Sequence, residues 1–279
     1  MIGIDWGTSA FRAYRLGAGG EILESRAAPK GILAVPAGKF ADVLQDEIGD
    51  WLDQKPVVMS GMVGSRQGWV EAPYVPCPAG FAEISGAMRQ VREGVWVVPG
   101  VSCRDAAGVP DVMRGEEVQI LGAGRDGLFC LPGTHSKWVE VEDGRITRLS
   151  THMTGEVYAV LKQHSILGRM MEEGTPDTNA FAQGVARSGQ GGGVLHHLFG
   201  VRTRGLMGEL GPAASASYLS GILIGHELRN ARARDVHLLG APALTRLYEE
   251  AAGLLSVTAR PMDPDAAARG LFRLGGMLR

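Results

Sequence analysis

The first thirty residues alternate apolar runs with polar corners. Ile2 to Ile4 reads as a buried strand, Asp5-Trp6-Gly7-Thr8-Ser9 as a polar turn and Phe11 to Leu16 as a second strand. Gly17 to Gly20 is a tight turn and Glu21 to Arg26 a third strand, so the spacing predicts an antiparallel meander with an acidic Gly-Thr-Ser corner. The pattern returns 126 positions later, Gly133-Thr134 answering Gly7-Thr8. There the strand Leu128 to Leu131 leads into the corner Pro132-Gly133-Thr134-His135-Ser136-Lys137, followed by Trp138 to Val141, a turn at Asp143-Gly144 and Arg145 to Ser150. Downstream in each half, Pro56 to Gly61 and Asp235 to Gly240 are apolar strands that end in glycine. Two copies of one supersecondary plan are expected, in preference to two unrelated meanders.

Helical periodicity fills the intervals. Phe40, Val43, Leu44, Ile48, Trp51 and Leu52 give Gly38 to Gln54 one apolar face, and Glu116 to Gly122, Val157 to Leu167, Ala214 to Arg232 and Ala243 to Leu254 read likewise. The Ala214–Arg232 helix opens on small residues, which suit close approach of a neighbouring element or of a phosphate-bearing ligand.

Composition narrows the class. A chain of 279 residues favours two domains, and 45% hydrophobic with 21% charged residues excludes a disordered or fibrous protein. The net charge of −2 offers no general attraction for nucleic acid. No signal peptide is read at the amino terminus, and Tyr218 to Ile224 is too short and interrupted to span a bilayer, so a cytoplasmic protein is expected. Three cysteines, Cys77, Cys103 and Cys130, lack paired metal-ligand spacing and argue against a disulfide framework or a zinc site. Glycine is the outlier, with 41 residues. His196-His197 adjoins Gly191-Gly192-Gly193, where loop and helix-cap roles, a lid or disorder are all compatible with the tract.

A duplicated plan facing its two corners across a cleft suits a phosphate chain. Backbone N–H groups of the Gly-Thr-Ser turns, with the hydroxyls of Thr8, Ser9, Thr134 and Ser136, can cradle anionic oxygens. Asp5 cannot favour phosphate directly but can hold Mg²⁺, or simply close its own turn. His135 and Lys137 can reach a β- or γ-phosphate, although strand alternation leaves a solvated Lys137 open. In the loop Ser60-Gly61-Met62-Val63-Gly64-Ser65-Arg66-Gln67-Gly68-Trp69, Arg66 is placed to meet a carboxylate, and Trp69 either packs on a sugar face or anchors the core.

Asp5 to Ser9, Pro132 to Trp138 and Leu238-Leu239-Gly240-Ala241-Pro242 resemble, in order, the phosphate-1, phosphate-2 and adenosine motifs of the sugar kinase/Hsp70/actin superfamily. Ser60 to Trp69, Asp111-Val112-Met113-Arg114-Gly115-Glu116-Glu117 and Pro132 to Trp138 are, more narrowly, similar to the 2-dehydro-3-deoxygalactonokinases, over nearly the whole chain. The second corner departs from the superfamily in having Leu131 and Pro132 where an acid would answer Asp5.

The resemblance implies an α/β, duplicated actin-like (RNase H-like) ATPase fold. Its two domains, 1–123 for the sugar acid and 124–279 for the nucleotide, would lie around a nucleotide cleft. It implies ATP- and Mg²⁺-dependent phosphorylation of the 6-hydroxyl of 2-dehydro-3-deoxy-D-galactonate in galactonate catabolism. Nucleotide contacts are expected from Gly7, Thr8, Ser9, Gly133, Thr134, His135, Ser136, Lys137, Gly240, Ala241 and Pro242, and metal ligation from Asp5. Substrate contacts are expected from Gly61, Ser65, Arg66 and Trp69. Glu116 stands as the general base at a helix start between the halves, with Arg114 beside it; related kinases usually carry Asp there, which leaves Glu117 in contention. Kinases for another sugar acid or a pantothenate-like acid are the nearest alternatives. A sugar-sensing regulator on the same fold would need a DNA-binding helix-turn-helix, which is not read here. Neither nucleic acid nor membrane is expected as a partner, and a homodimer is left open.

Overall fold

The opening meander forms as its periodicity predicts. In the computed structural model, which describes residues 1–278, β1 (Ile2–Trp6) pairs antiparallel with β2 (Phe11–Leu16), and β2 with β3 (Ile22–Ala28). Next come α1 (Phe40–Ile48), β4 (Val57–Ser60), β5 (Tyr74–Pro76), α2 (Phe81–Gly86), β6 (Arg89–Arg92), β7 (Val95–Val97), β8 (Gly100–Arg104), β9 (Pro110–Met113) and α3 (Glu116–Ala123). The second half carries β10 (Gly127–Leu131), β11 (Ser136–Glu142), β12 (Arg145–His152), α4 (Thr154–His164), α5 (Thr178–Arg187), α6 (Gly193–Leu206), α7 (Pro212–Ala231), β13 (Asp235–Leu238), α8 (Pro242–Leu254), β14 (Thr258–Pro261) and α9 (Ala266–Gly276).

One sheet has the order β3-β2-β1-β4-β7-β6 and another β12-β11-β10-β13-β14. In both, a three-strand meander is followed by a strand added beside its first member, parallel to it: β4 beside β1 and β13 beside β10. The repeated order is the duplication expected from the sequence. A third sheet, β5-β8-β9, has no counterpart in the predicted plan.

The chain forms two compact units. One comprises Met1–Gly127, Val139–Ser150 and Met262–Arg279; the other comprises Leu128–Trp138 and Thr151–Pro261. The carboxyl-terminal helix α9 thus packs with the amino-terminal half. It lies on α3, where a Cβ on Gly122 would come within 1.9 Å of the Ala266 carbonyl oxygen and one on Gly270 within 2.1 Å of that of Val118. Only glycine admits such backbone-to-backbone contact.

In this unit Ile2, Ile4, Trp6 and Phe11 meet α1 through Phe40, Leu44 and Ile48. The predicted 38–54 helix tightens into a 3₁₀ turn at Gly49–Trp51. Trp6 sits edge-on to Phe11 at 5.0 Å, a favoured aromatic geometry, and donates its indole N–H to the Lys30 carbonyl at 2.8 Å. Cys77 and Cys103, brought together by the pairing of β5 with β8, form a disulfide, which corrects the expectation of unpaired cysteines. Proximity in the sheet, 26 residues apart in sequence, is what spacing could not reveal.

The second unit has its core on α5, α7 and α8 around Phe181, Ile224, Leu228 and Tyr248. The 191–193 glycine tract leads directly into α6: Gly192 caps the helix and Gly193 starts it, and buried His197 joins its Nε2 to the Gly191 carbonyl at 3.0 Å and its Nδ1 to His226 Nε2 at 2.9 Å. The two adjacent histidines therefore lie inside a helix. Among the described residues no helix is long and apolar enough to cross a membrane.

Candidate active site

In each unit the polar corners lie at the carboxyl ends of neighbouring parallel strands, where α/β sheets generally place ligands. Asp5, near the end of β1, is flanked in register by Arg12 on β2 and Ser60 on β4. After β4 the backbone turns at Gly61 with φ of +92°, and a Cβ there would lie 2.8 Å from the Trp6 carbonyl and 3.3 Å from Asp5 Oδ1. Gly115, at φ of +113°, brings its Cα face against Gly61, where an added Cβ would stand 3.1 Å from Gly61 Cα. Two glycines in the left-handed region thus draw the β1 end, the β4 loop and the start of α3 together.

Burial raises the Asp5 carboxyl to about 6; Arg12 opposes the rise and Glu116 adds to it. Arg12 is a neighbour that motif reading missed, and its only signal was the register of β2 against β1. The two acids at the start of α3 have different environments. Glu116 is partly buried, and its carboxylate accepts the Arg114 N–H at 3.0 Å. Glu117 is fully buried, and both its oxygens receive the Gly115 N–H, at 2.9 and 2.7 Å. Burial first and Glu116 second push Glu117 up to about 8. Glu117 therefore closes the helix start, and Glu116 is the acid with access.

Gly7 donates to the Ala10 carbonyl at 2.9 Å, closing the first corner, and Thr8 and Ser9 are exposed at its tip. The loop after Gly61 spreads its candidates. Ser65 Oγ is buried without a hydrogen-bond partner, whereas Arg66 is at the surface with Glu71 Oε1 3.4 Å away. Trp69 stacks on Phe40 at 6.3 Å and packs on the core cluster, which favours the anchoring role. Arg114 is buried over the Tyr74 ring at 4.3 Å and donates to the Ala72 carbonyl at 2.9 Å, leaving its Nε and Nη1 unpartnered.

In the second unit β10 runs parallel to β13, and Leu239 N–H reaches the Cys130 carbonyl at 3.0 Å. That bond brings Gly240 beside Pro132, with 3.3 Å between a Gly240 Cβ and the Pro132 carbonyl oxygen. Ala241 then caps α8 and Pro242 occupies its first turn. Gly133 and Thr134 are held by the start of α4: Glu156 N–H donates to the Thr134 carbonyl at 2.9 Å. His135 Nε2 is hydrogen-bonded to the Glu156 carboxylate. Ser136 and Lys137 are both buried, so Lys137 is not a solvated strand residue. The predicted start of β11 at Trp138 moves back to Ser136, which draws both residues into the sheet.

A cavity of about 290 Å³ adjoins this corner, lined by Gly133, Thr154, Gly155 and Tyr158 together with Leu244 and Tyr248 of α8. Ala213, Ala216 and Ser217, the small residues at the start of α7, also line it, and Ser217 accepts the Asp177 N–H at 3.0 Å. Thr154, Gly155, Tyr158 and Tyr248 belong to no motif that could be read from the sequence.

A family model described as 2-keto-3-deoxy-galactonokinase matches residues 5–274. A 2-dehydro-3-deoxygalactonokinase of Escherichia coli (strain K12) is 37% identical over 259 residues, which are 90% of this chain and 88% of that relative. The chain belongs to the 2-keto-3-deoxy-galactonokinase family. A solved structure from Sinorhizobium meliloti, provisionally named a 2-dehydro-3-deoxygalactonokinase, superposes with a TM-score of 0.90 at 34% identity, covering 98% of this chain and 97% of its own. More distantly, the activator of 2-hydroxyisocaproyl-CoA dehydratase from Clostridium difficile, solved with bound ADPNP, reaches a TM-score of 0.52 at 13% identity and covers 99% of this chain and 94% of its own. At that identity it shares the fold alone, and the family assignment rests on the nearer relatives.

Proposed function

We propose that this member of the 2-keto-3-deoxy-galactonokinase family transfers the γ-phosphoryl group of ATP, with Mg²⁺, to the 6-hydroxyl of 2-dehydro-3-deoxy-D-galactonate. The family match over residues 5–274 carries the proposal. The gathering of Asp5, Gly61, Gly115 and Glu116 at one strand end gives it a chemical basis. Phosphoryl transfer needs positioning and charge neutralisation more than covalent chemistry.

No cluster of three metal-ligating side chains occurs among the described residues, which argues against an all-protein metal cage. Mg²⁺ bound through one or two carboxylates and the nucleotide's own phosphates needs no such cage. Asp5, a partly buried hard-oxygen donor that feels the charge of Glu116, fits that demand. The ion would neutralise the transferring group. Glu116 would accept the hydroxyl proton, since Glu117 is turned into the helix start.

For the nucleotide we assign the Gly7–Ser9 and Gly133–Thr134 corners, His135, Lys137 and the Gly240–Pro242 turn, with the second unit's cavity taking the nucleoside. For the sugar acid we assign the 61–69 loop, where Arg66 has only an exposed pairing with Glu71 to give up for a substrate carboxylate. A cytoplasmic location belongs to the same proposal, because ATP and sugar-acid intermediates are held there.

The deciding assay is ADP release by purified protein over a panel of sugar acids, with the product mapped by phosphorus NMR. Turnover is expected with 2-dehydro-3-deoxy-D-galactonate and Mg²⁺. Preferential turnover of another acid, or none with any, would overturn the proposal. Glu116→Gln should lower kcat by about 10²–10⁴ with little change in either KM, as loss of a general base does.

A further inference from the structure

Beneath the second corner, four elements meet on one buried carboxylate. Glu227, on α7, is 3% exposed. Its Oε1 accepts the Trp138 indole N–H at 2.8 Å. Its Oε2 accepts the Tyr248 hydroxyl at 2.7 Å and also the hydroxyl of Thr154. Since the Tyr248 proton goes to Glu227, the contact of 2.9 Å between Ser136 Oγ and Tyr248 Oη has Ser136 as donor. The chain Ser136 to Tyr248 to Glu227 is thus directional. It commits the Ser136 proton inward, away from any ligand.

We infer that Glu227 is the positioning residue of the nucleotide corner, holding Ser136 and Trp138 at its exit and Thr154 at the start of α4 in one register. The inference rests on the assignment of Gly133–Thr134 to nucleotide phosphate. Thr154 matters because the next residue touches the corner itself: a Cβ on Gly155 would lie 2.4 Å from the Gly133 carbonyl oxygen and 2.8 Å from Thr134 Cα. With so little clearance, displacement of Thr154 moves Gly133 and Thr134. Thr154 and Tyr248 also line the cavity, so two of Glu227's three donors are part of its wall.

A buried carboxylate is tolerated where donors surround it, and those donors in turn have no other acceptor of comparable strength. Glu227 touches no assigned ligand site directly, as it is absent from the cavity lining. Its effect on turnover must therefore pass through the corner.

Glu227→Gln keeps the volume but aims an amide N–H₂ at one set of donors. The KM for ATP should rise about tenfold, the order expected for one buried donor left without an acceptor, while the KM for the sugar acid stays within about twofold. Thr154→Val should reproduce part of the rise and Thr154→Ser should restore wild-type values, because only the latter keeps the hydroxyl donor. Val201→Ala, in the separate core of the same unit, should lower Tm without moving the ATP KM.

If Glu227→Gln does not fold, the Thr154 pair decides in its place. An ATP KM that is unchanged in Glu227→Gln and Thr154→Val, or that moves together with the sugar-acid KM, would make Glu227 a stabiliser of the fold only and overturn the inference. Calorimetry of ADP binding to Thr134→Ala separates the two levels. Weakened ADP binding there with intact binding in Glu227→Gln refutes the role of Glu227 alone, whereas intact binding in both removes the corner assignment as well.

Discussion

Replacing Glu117 by glutamine should make the protein more stable, and increasingly so as the pH rises. Glu117 is fully buried at the start of α3, and burial together with Glu116 lifts its carboxyl from the ordinary 4.5 to about 8. Below about pH 4.5 the group is protonated in both folded and unfolded chains and contributes no pH dependence. Between 4.5 and 8 the unfolded chain releases the proton while the folded one retains it, so folding takes up a proton and stability falls with each unit of pH. Above 8 the full cost is in place. At about 1.4 kcal/mol per pH unit across this interval, that cost is on the order of 5 kcal/mol.

The substituted amide cannot ionise but can still accept the Gly115 N–H through its oxygen. Any change in that hydrogen bond is a constant offset. The pH-dependent part of the difference isolates the carboxyl. Differential scanning fluorimetry of both proteins from pH 4.5 to 8.5 should show the Tm advantage of Glu117→Gln widening by about 10–20 °C, at the roughly 2–4 °C per kcal/mol usual for chains of this size. A Tm difference that is constant or narrows with pH would refute the assignment of Glu117 as a carboxyl held protonated by burial.

Three other outcomes are expected. Asp5→Asn should leave the circular dichroism spectrum unchanged and nearly abolish turnover, because the amide keeps the shape and loses the charge that supports Mg²⁺; full Mg²⁺-dependent activity would remove the metal assignment. Arg66→Ala should raise the sugar-acid KM at least about tenfold, as loss of a charged hydrogen bond does, and leave the ATP KM alone; an effect confined to ATP would place Arg66 at the other ligand. Thiol titration of the unfolded, unreduced protein should find Cys130 alone reactive, and three reactive thiols would show that Cys77 and Cys103 stay reduced in the compartment where the protein is made.

Sequence alone determined the parts of this protein that are built from neighbours. The two meanders, their Gly-Thr corners, the glycine-ended strands and the acid at Asp5 are encoded within runs of about ten residues, where alternation and turn chemistry act directly. Their order along the chain carried the family resemblance. Helices with strong apolar periodicity were legible too, although α4 starts at Thr154 and not at Val157, since that boundary depends on its docking against Gly133 and Thr134.

Tertiary structure decided what requires distant partners. Glu116 and Glu117 are adjacent and chemically alike, and only burial separates the accessible acid from the one folded into its own helix start. Glu227 gave no signal in sequence because its donors lie 89 and 21 residues away at Trp138 and Tyr248, and Ser136 stands 112 residues from Tyr248. The Cys77–Cys103 pair, the crossing of α9 on α3 and the burial of Lys137 have the same origin. Local patterning sets which backbone forms; the low dielectric and close packing of the assembled interior set which charges, hydroxyls and glycines must meet.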